Sequence, residues 1–251
     1  MLSIDEMEKE GIPILEVKDL SKSFGELEAL KEVNFDVKKR EVFGIVGPNG
    51  AGKTTLFNIV TGVLPGKGDI IFDGRNINGL RPHRVCQEGI SRTFQSPPYI
   101  FSTMTVLENV SIGARFGVRR SLGPGTSHEQ DVRKAIDFLG LRGKENNFAT
   151  SLSLFDRKKT MLAASLATRP KLLLLDEPMS GLSPAEVEET KGLIQRVNKE
   201  EGISIIVIEH LLEVILEICK RVMVLSTEVI DIRPSEDVME SERVKEVYLK
   251  V

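Results

Sequence analysis

The chain contains the stretch Gly47-Pro48-Asn49-Gly50-Ala51-Gly52-Lys53-Thr54, which matches the pattern G-x-x-x-x-G-K-[ST] without a gap. Its glycines let the backbone wrap closely around phosphates, with several N–H groups pointing inward. The helix that follows adds the favourable potential of its N-terminus. We therefore predict a phosphate-binding loop, in which the Lys53 ammonium reaches the β- and γ-phosphates and the Thr54 hydroxyl binds Mg²⁺.

The segments around this loop predict an α/β fold with a mostly parallel sheet. A continuous apolar run before the loop indicates a strand buried on both faces, and a helix is expected over residues 53–60. Buried strands alternate with helices further on, which is typical of parallel sheets. The expected buried strands are 42–46, 171–175 and 203–208. Strand patterns at 14–17, 30–37 and 69–72 predict a small antiparallel sheet at the N-terminal side.

The chain between residues 96 and 168 differs in character. Apolar residues recur with helical spacing, as at Val132, Ala135 and Ile136, and a Gly/Pro-rich loop lies at 117–125. We expect a mostly helical insertion here. Residues 1–12 are expected to form a flexible tail.

Composition excludes several classes of protein. The 251 residues include 34 Lys and Arg against 37 Asp and Glu, a formal net charge of −3, which rules out a strongly cationic nucleic-acid coat protein. No apolar run approaches the ~18–20 residues that span a bilayer. Cys86 and Cys219 lie far apart and form no metal-like cluster with the three histidines, and the acidic N-terminus does not resemble a secretory signal. A reducing, cytosolic setting is expected.

Two acids follow an apolar strand in Leu172-Leu173-Leu174-Leu175-Asp176-Glu177. Ligands of open α/β sheets bind at the carboxyl ends of the strands. We therefore expect Asp176 to bind Mg²⁺, directly or through water, and Glu177 to polarise a water for attack on the γ-phosphate.

His210 and Gln95 are weaker candidates from position alone. His210 follows a predicted strand, where an imidazole is more often structural, although it could hydrogen-bond the γ-phosphate and hold the water. Gln95 precedes a loop, and its amide could contact a metal-bound water.

The order of these segments resembles the ATP-binding subunits of ABC transporters, over residues 14 to about 250. The resemblance implies a P-loop NTPase with a RecA-like sheet, an N-terminal antiparallel β subdomain and the helical subdomain inserted at about 96–168, all within one ATP-binding domain at 13–251. It implies that Gln95 belongs to the family's Gln loop and that His210 is its switch histidine. It implies ATP and Mg²⁺ as cofactors, with Thr54, Gln95 and Asp176 at the metal. Further nucleotide contacts are implied for Phe24, which would stack on adenine, and for Thr55 and Ser153.

Finer features resemble the subfamily that serves branched-chain amino acid import. They are Gly89-Ile90-Ser91-Arg92-Thr93-Phe94-Gln95, Met104-Thr105-Val106-Leu107-Glu108-Asn109-Val110 and Val247-Tyr248-Leu249. Importers of amides or aromatic acids and lipopolysaccharide-export ATPases share much of this pattern. The resemblance implies transmembrane permease subunits as partners, with residues 97–101 as a candidate docking surface or a packed part of the helical subdomain. It also implies a second ATP-binding subunit (a copy or a related chain), indirectly a solute-binding protein, no nucleic acid, and a place at the cytoplasmic face of the membrane.

The signature segment departs from the family pattern Leu-Ser-Gly-Gly-Gln, because it contains Leu152-Ser153-Leu154-Phe155-Asp156. In the family this segment covers the ATP of the opposite subunit. Ser153 can still cap a helix with Asp156 three residues on, but Leu154 and Phe155 reduce room for backbone approach and Asp156 is expected to place negative charge near phosphate.

Two other functions stay open, and this departure favours the first of them. One is a nucleotide-binding regulatory module with weak turnover. The other is a soluble ABC-type ATPase acting on nucleic acid or ribosomes, although this chain has neither a second cassette nor a long coiled insertion. A further departure, Ser226-Thr227-Glu228 where a glycine turn is expected, should affect local stability more than chemistry.

Overall fold

The computed structural model describes residues 13–95, 100–118 and 128–249, with side chains up to Glu246. The predicted tail at 1–12 lies outside these residues, as does most of the Gly/Pro-rich loop. The described strands are β1 Pro13–Phe24, β2 Leu27–Lys38, β3 Val42–Val46, β4 Lys67–Phe72, β5 Arg75–Asn76, β6 Ile90–Arg92, β7 Leu172–Asp176, β8 Ser204–Ile208, β9 Arg221–Ser226 and β10 Glu228–Pro234. The described α-helices are α1 Lys53–Val60, α2 Pro82–Glu88, α3 Val106–Phe116, α4 His128–Phe138, α5 Leu154–Ala167, α6 Pro184–Glu201, α7 Leu212–Ile218 and α8 Glu242–Leu249. Short 3₁₀ turns occur at Ala149–Ser151 and Ser235–Glu240.

The chain divides into two compact units, one formed by residues up to Pro82 and from Ile194 onward, the other by His83–Leu193. The first unit contains an antiparallel sheet with the strand order β2-β1-β4-β5. Leu15 pairs with Val37 on one side and with Phe72 on the other, and all three side chains are buried. This is the expected N-terminal sheet.

The first unit also contains parallel strands. β3 pairs in parallel with β8 on one side and with β9 on the other, and β10 adds to β9 in antiparallel orientation. All five residues of β3 and of β8 are buried, as their continuous apolar sequences predict. The glycine-rich loop begins directly after the carboxyl end of β3, at Gly47.

The second unit pairs β6 with β7 in parallel and contains the helices α3, α4 and α5. A capping box begins α3, because the Thr105 hydroxyl accepts from the Glu108 N–H and the Glu108 carboxylate accepts from the Thr105 N–H. The three helices lie inside the stretch for which helices were expected; the boundaries 96 and 168 stay a prediction. None of the described helices is long and apolar enough to cross a bilayer.

The predicted bounds of helices and strands agree best with the structure where the sequence is apolar. β3 and α1 have the predicted ends. Pro184 begins α6, where the Glu186 carboxylate accepts from the Ser183 N–H at 2.8 Å. By contrast, β1 continues to Phe24, well beyond the predicted 14–17. Its second half is partly exposed and contains register shifts, so it lacks the alternation by which strands are recognised in a sequence.

Candidate nucleotide-binding site

The glycine-rich loop of the first unit has the backbone geometry that only glycine permits at two of its positions. Gly47 has φ +154°, and a Cβ there would stand 2.0 Å from the carbonyl oxygen of Leu225. Gly52 has φ +92°, and a Cβ there would stand 2.4 Å from the carbonyl oxygen of Ala29. Both glycines therefore allow the loop to pack against neighbouring backbone while it turns into α1.

Lys53 closes this loop from inside. Its Nζ donates hydrogen bonds to the carbonyl oxygens of Gly47 at 2.6 Å and of Pro48 at 2.9 Å, and the residue is only 6% exposed. The ammonium thus lies within the ring of loop backbone, whereas Pro48, Asn49 and Gly50 face solvent.

The loop fits the phosphates of a nucleotide. Gly52 occupies the N-cap of α1 without a side-chain cap, and the first turn of α1 contains no acid. The N–H groups of this turn are therefore available to an anion at the positive end of the helix. Among the described residues, nothing lies within 4 Å of a Cβ built on Gly50, and Thr54 is exposed beside it. The loop thus offers main-chain N–H donors and one ammonium, with open space beside Gly50, as phosphate binding requires.

The turn between β9 and β10 supports the loop. The Thr227 N–H donates to the carbonyl oxygen of Ala51 at 3.0 Å, and the Thr227 carbonyl accepts from the Lys31 N–H at 2.9 Å. Thr227 has φ +67°, a conformation that glycine adopts more easily than a β-branched residue. The expected glycine turn is thus present in shape, although a threonine occupies it.

Phe24 and His210 also belong to the first unit. Phe24 lies at the end of β1 and is 47% exposed, with the Lys22 Nζ 5.1 Å from its ring centroid, so it is not a core residue. His210 is exposed after β8, and its main-chain N–H donates to the Glu209 carboxylate at 3.3 Å. Both positions are accessible to a ligand, and their predicted roles stay predictions.

In the second unit, the two acids at the end of β7 have different partners. Asp176 is buried, and its Oδ2 accepts a hydrogen bond from Nη2 of Arg92 at 2.7 Å. Arg92 ends β6, the strand paired with β7, and its guanidinium also lies 4.7 Å from the Phe94 ring centroid. The arginine supplies a countercharge for a carboxylate that burial would otherwise destabilise.

Glu177 is held at both ends. Its Oε2 accepts a short hydrogen bond from Nε2 of Gln95, and its carbonyl oxygen accepts from Nζ of Lys158 at 3.1 Å. Its backbone has φ +48°, in the left-handed region. The structure therefore brings together Gln95 and Glu177, two of the residues selected from the sequence.

The predicted magnesium donors, Thr54, Gln95 and Asp176, include a single carboxylate. No group of three or more His, Cys, Asp and Glu side chains could hold a metal ion in the described parts of the chain. Mg²⁺ in proteins usually takes one or two carboxylates and completes its shell with water and substrate phosphates. A single buried aspartate at a strand end therefore suits a magnesium ion that also binds nucleotide phosphates. It suits less well an ion held by protein ligands alone.

The altered signature segment begins α5. Ser153 is its N-cap, and its hydroxyl accepts from the Asp156 N–H at 3.1 Å, as the sequence predicts. The Asp156 carboxylate pairs with Lys144 at 2.6 Å and lies 3.7 Å from Lys159. Burial by itself would raise the pKa of Asp156, but the hydrogen bond and charge of Lys144 and the charge of Lys159 outweigh it and lower that pKa below its ordinary value.

These contacts compensate the negative charge that Asp156 brings to the signature segment, and its expected place near phosphate stays a prediction. Two lysines compensate Asp156, and because its pKa is lowered the pairing is lost only as the pH falls through that lowered pKa. Phe155 is largely buried, with the Lys159 Nζ 4.4 Å from its ring centroid. The expected loss of backbone access at Leu154 and Phe155 stays a prediction.

The candidate docking surface at 97–101 is described only at its end. Pro97, Pro98 and Tyr99 lie outside the described residues. Ile100 is buried in a cluster with Ala149 and Met161, whereas Phe101 is 55% exposed. The packed alternative therefore applies to Ile100 and the docking alternative remains open for Phe101.

Sequence reasoning missed Arg92 and Lys158 as functional candidates. Arg92 lies within the segment that precedes Gln95, and Lys158 lies two residues beyond the signature segment. A signal existed for Arg92, because it ends a strand three residues before Gln95. For Lys158 only its place in the second turn of the signature helix could have suggested a role.

The fold and the loop define a P-loop nucleotide-binding protein. The family model described as ABC transporter matches residues 30–180, and the chain belongs to that family as an ATP-binding cassette, an ATPase. The resemblance noted from the sequence and the predicted fold are thereby confirmed.

Individual relatives agree with this assignment. The high-affinity branched-chain amino acid transport ATP-binding protein BraF of Pseudomonas aeruginosa is 33% identical over 226 residues, 85% of this chain and 88% of that protein. The lipopolysaccharide export system ATP-binding protein LptB of Haemophilus influenzae is 33% identical over 238 residues, 94% of this chain and 97% of that protein. The crystal structure of the ADP conformation of MJ1267, an ATP-binding cassette of an ABC transporter, has a TM-score of 0.85 at 29% identity, covering 96% of this chain and 100% of that chain.

Proposed function

We propose that this ATPase energises the import of branched-chain or related amino acids through a membrane permease. In this proposal the chain binds the permease at the cytoplasmic face of the membrane and pairs with a second ATP-binding subunit. A separate solute-binding protein delivers the amino acid to the permease. The similarity to BraF over most of both chains is the single observation that carries the choice of solute.

The residues of the glycine-rich loop bind the nucleotide in this proposal. Main-chain N–H groups of the loop residues 47–55 other than Pro48, together with the Lys53 ammonium, contact the phosphates, and Phe24 stacks on the adenine. The buried ammonium, already held among the loop carbonyls, supports this role because it needs no large rearrangement to meet an anion.

The residues of the second unit and His210 serve the chemical step. Glu177 accepts the proton of the attacking water and His210 holds that water, while Ser153 contacts the nucleotide of the opposite subunit. Thr54, Gln95 and Asp176 are the proposed magnesium donors. When bound, Mg²⁺ would neutralise developing charge on the phosphates. The hydrogen bond between Gln95 and Glu177 supports a shared task for these two side chains.

The catalytic assignment is tested by Glu177→Gln. Removing a general base lowers turnover by about 10²–10⁴-fold, whereas ATP affinity should be unchanged because the amide replaces no phosphate contact. The matched control is Glu188→Gln, which changes an exposed acid on α6 and should leave turnover unaltered. Steady-state hydrolysis and calorimetric ATP binding are the measurements. Normal turnover in the Glu177→Gln variant would show that another group activates the water.

The solute is tested in the assembled transporter. The complex of this subunit with the permease that copurifies from native membranes is reconstituted in vesicles, and uptake of radiolabelled leucine, isoleucine and valine is measured with enclosed ATP. We expect uptake that disappears with the Glu177→Gln subunit. Absence of uptake, with hydrolysis stimulated by lipopolysaccharide instead, would favour the export function for which LptB is named.

A regulatory module with weak turnover is the second candidate. It is favoured by Leu154 and Phe155, which stand in the signature segment where the family pattern has two glycines. The wild-type turnover of the reconstituted complex separates the two functions. Hydrolysis that neither the permease nor solute accelerates would support the regulatory module.

A further inference from the structure

Glu177 has a backbone conformation that its own residue type does not favour. Its φ of +48° places it in the left-handed region, where the Cβ of an L-residue crowds the following carbonyl. Residues other than glycine keep such a conformation only where surrounding contacts hold it, and such residues cluster at active sites. The contacts that hold Glu177 therefore matter for its carboxylate.

A buried lysine supplies one of those contacts. The Lys158 Nζ donates to the Glu177 carbonyl oxygen at 3.1 Å, and the Ser180 N–H donates to the same oxygen at 3.3 Å. Lys158 and Glu177 are both about 8% exposed. A hydrogen bond from an ammonium is stronger than one between neutral groups, and competition from water is small in a buried place.

We propose that Lys158 is a positioning residue for ATP hydrolysis, which holds the peptide group after Glu177 so that the Glu177 carboxylate keeps its place beside Gln95. The proposal rests on the proposed function of Glu177 as the base. Lys158 bonds the main-chain carbonyl of Glu177, while Gln95 bonds the carboxylate, so the residue is fixed at its two ends.

The two contacts have a kinetic consequence. Without the ammonium, the Glu177 carbonyl loses the stronger of its two hydrogen bonds and keeps the longer one from the Ser180 N–H. The peptide group is then less constrained, so the carboxylate can shift relative to the water it activates. Displacements of about 1 Å can cost up to 10²-fold in rate. Because Lys158 is not among the proposed nucleotide contacts, the loss should fall on kcat and not on KM.

The neighbouring lysine provides a matched control. Lys159 is equally buried on the same helix, but its Nζ pairs with Asp156 at 3.7 Å and with Glu189 at 3.4 Å. Lys158→Met and Lys159→Met are the same chemical change at adjacent positions. Only the first removes the hydrogen bond to Glu177, and in the second Asp156 keeps its closer partner, Lys144, at 2.6 Å.

The experiment compares these variants in the full chain by steady-state ATP hydrolysis, well below the lowest unfolding temperature of the set. We expect Lys158→Met to lower kcat about tenfold with KM within about twofold, and Lys159→Met to keep kcat within about twofold of wild type. Lys158→Arg, which retains a charged donor, should recover most of the lost rate. If Lys158→Met does not purify as a folded protein, Lys158→Gln replaces it, with a smaller but measurable loss of kcat.

Three results would overturn the inference: an unchanged kcat when the Lys158 ammonium is removed, an equal loss in Lys159→Met, or no recovery in Lys158→Arg. Glu177→Gln is measured in the same series to separate the proposed role of Glu177 as the base from the positioning role of Lys158. If Glu177→Gln keeps normal turnover, the proposed function of Glu177 fails. If it is inactive while Lys158→Met is normal, only the positioning role fails.

Discussion

The Lys53 ammonium lies against two carbonyl oxygens of its own loop, although it is expected to serve an anion. The carbonyls hold the cation where the main-chain donors of the loop converge. The charge is thus placed before any nucleotide arrives, which reduces the entropy lost on binding. The motif predicts the position of the lysine after the loop, whereas its hydrogen bonds to the Gly47 and Pro48 carbonyls are seen in the structure.

Lys53→Ala should therefore weaken nucleotide binding itself. The variant loses a charge-assisted contact to phosphate, which is worth about 1.5–3 kcal/mol and corresponds to roughly 10–150-fold in affinity. Lys199→Ala, an exposed lysine of α6, is the control. The measurement is calorimetric titration with ATP, and an unchanged dissociation constant would contradict the phosphate-loop role of Lys53.

The contacts of the two acids at the end of β7 are not visible in the sequence, although the acids themselves are. Asp176 and Glu177 stand out in the sequence because they follow an apolar strand, and Gln95 stands out only through the family resemblance. The pairing of Arg92 with Asp176 joins residues 84 positions apart, and neither residue's neighbours in the chain indicate it. Such a pair forms because β6 and β7 are adjacent in the sheet.

At the level of elements, the β9–β10 turn and the start of α5 both retain their form despite unusual residues. Ser153 caps α5 although the residues after it depart from the family pattern, because capping depends on one hydroxyl and one N–H. Thr227 adopts positive φ because the paired strands and the bond to Ala51 hold it there. Cap and turn geometry thus tolerate sequence change at a cost in free energy.

Thr227→Gly should recover part of that cost. A β-branched residue in the left-handed region costs about 1–2 kcal/mol, and glycine removes this strain. Part of the benefit is lost because glycine raises the conformational entropy of the unfolded chain. We expect a net stabilisation of about 0.5–1 kcal/mol, seen as a rise of about 1–3 °C in the unfolding temperature. The main-chain bonds to Ala51 and Lys31 need no side chain, so ATP affinity should not change. A lower unfolding temperature would mean that the threonine side chain contributes more than its backbone costs.

At the level of the whole molecule, the predicted site residues are divided between the two units. The loop, Phe24 and His210 belong to the first unit, while Gln95, Ser153 and Glu177 belong to the second. The chain alone carries both the loop and the signature helix, and the family resemblance implies that the signature of one subunit serves the nucleotide of another. Assembly is therefore expected to depend on ATP.

The Glu177→Gln variant should trap this assembly. With hydrolysis blocked and Mg-ATP bound, a nucleotide at the interface stabilises the associated state by mass action. We expect light scattering to give twice the monomer mass with ATP and the monomer mass with ADP. A variant that binds ATP but remains monomeric would exclude the homodimer and favour a pair with a related subunit.

The amino-acid sequence alone is enough to predict the glycine-rich loop, the buried strands beside it, the start of α1 and the two acids at the end of β7. These features depend on residues close together in the chain, whose spacing and backbone chemistry are visible in the sequence. The tertiary structure decided what surrounds those acids: the Arg92 guanidinium on Asp176, the Gln95 amide and the Lys158 ammonium on Glu177, and the lysines that compensate Asp156. Side chains from separate elements meet only when strands pair and helices pack, so burial and charge compensation at the acids follow from packing.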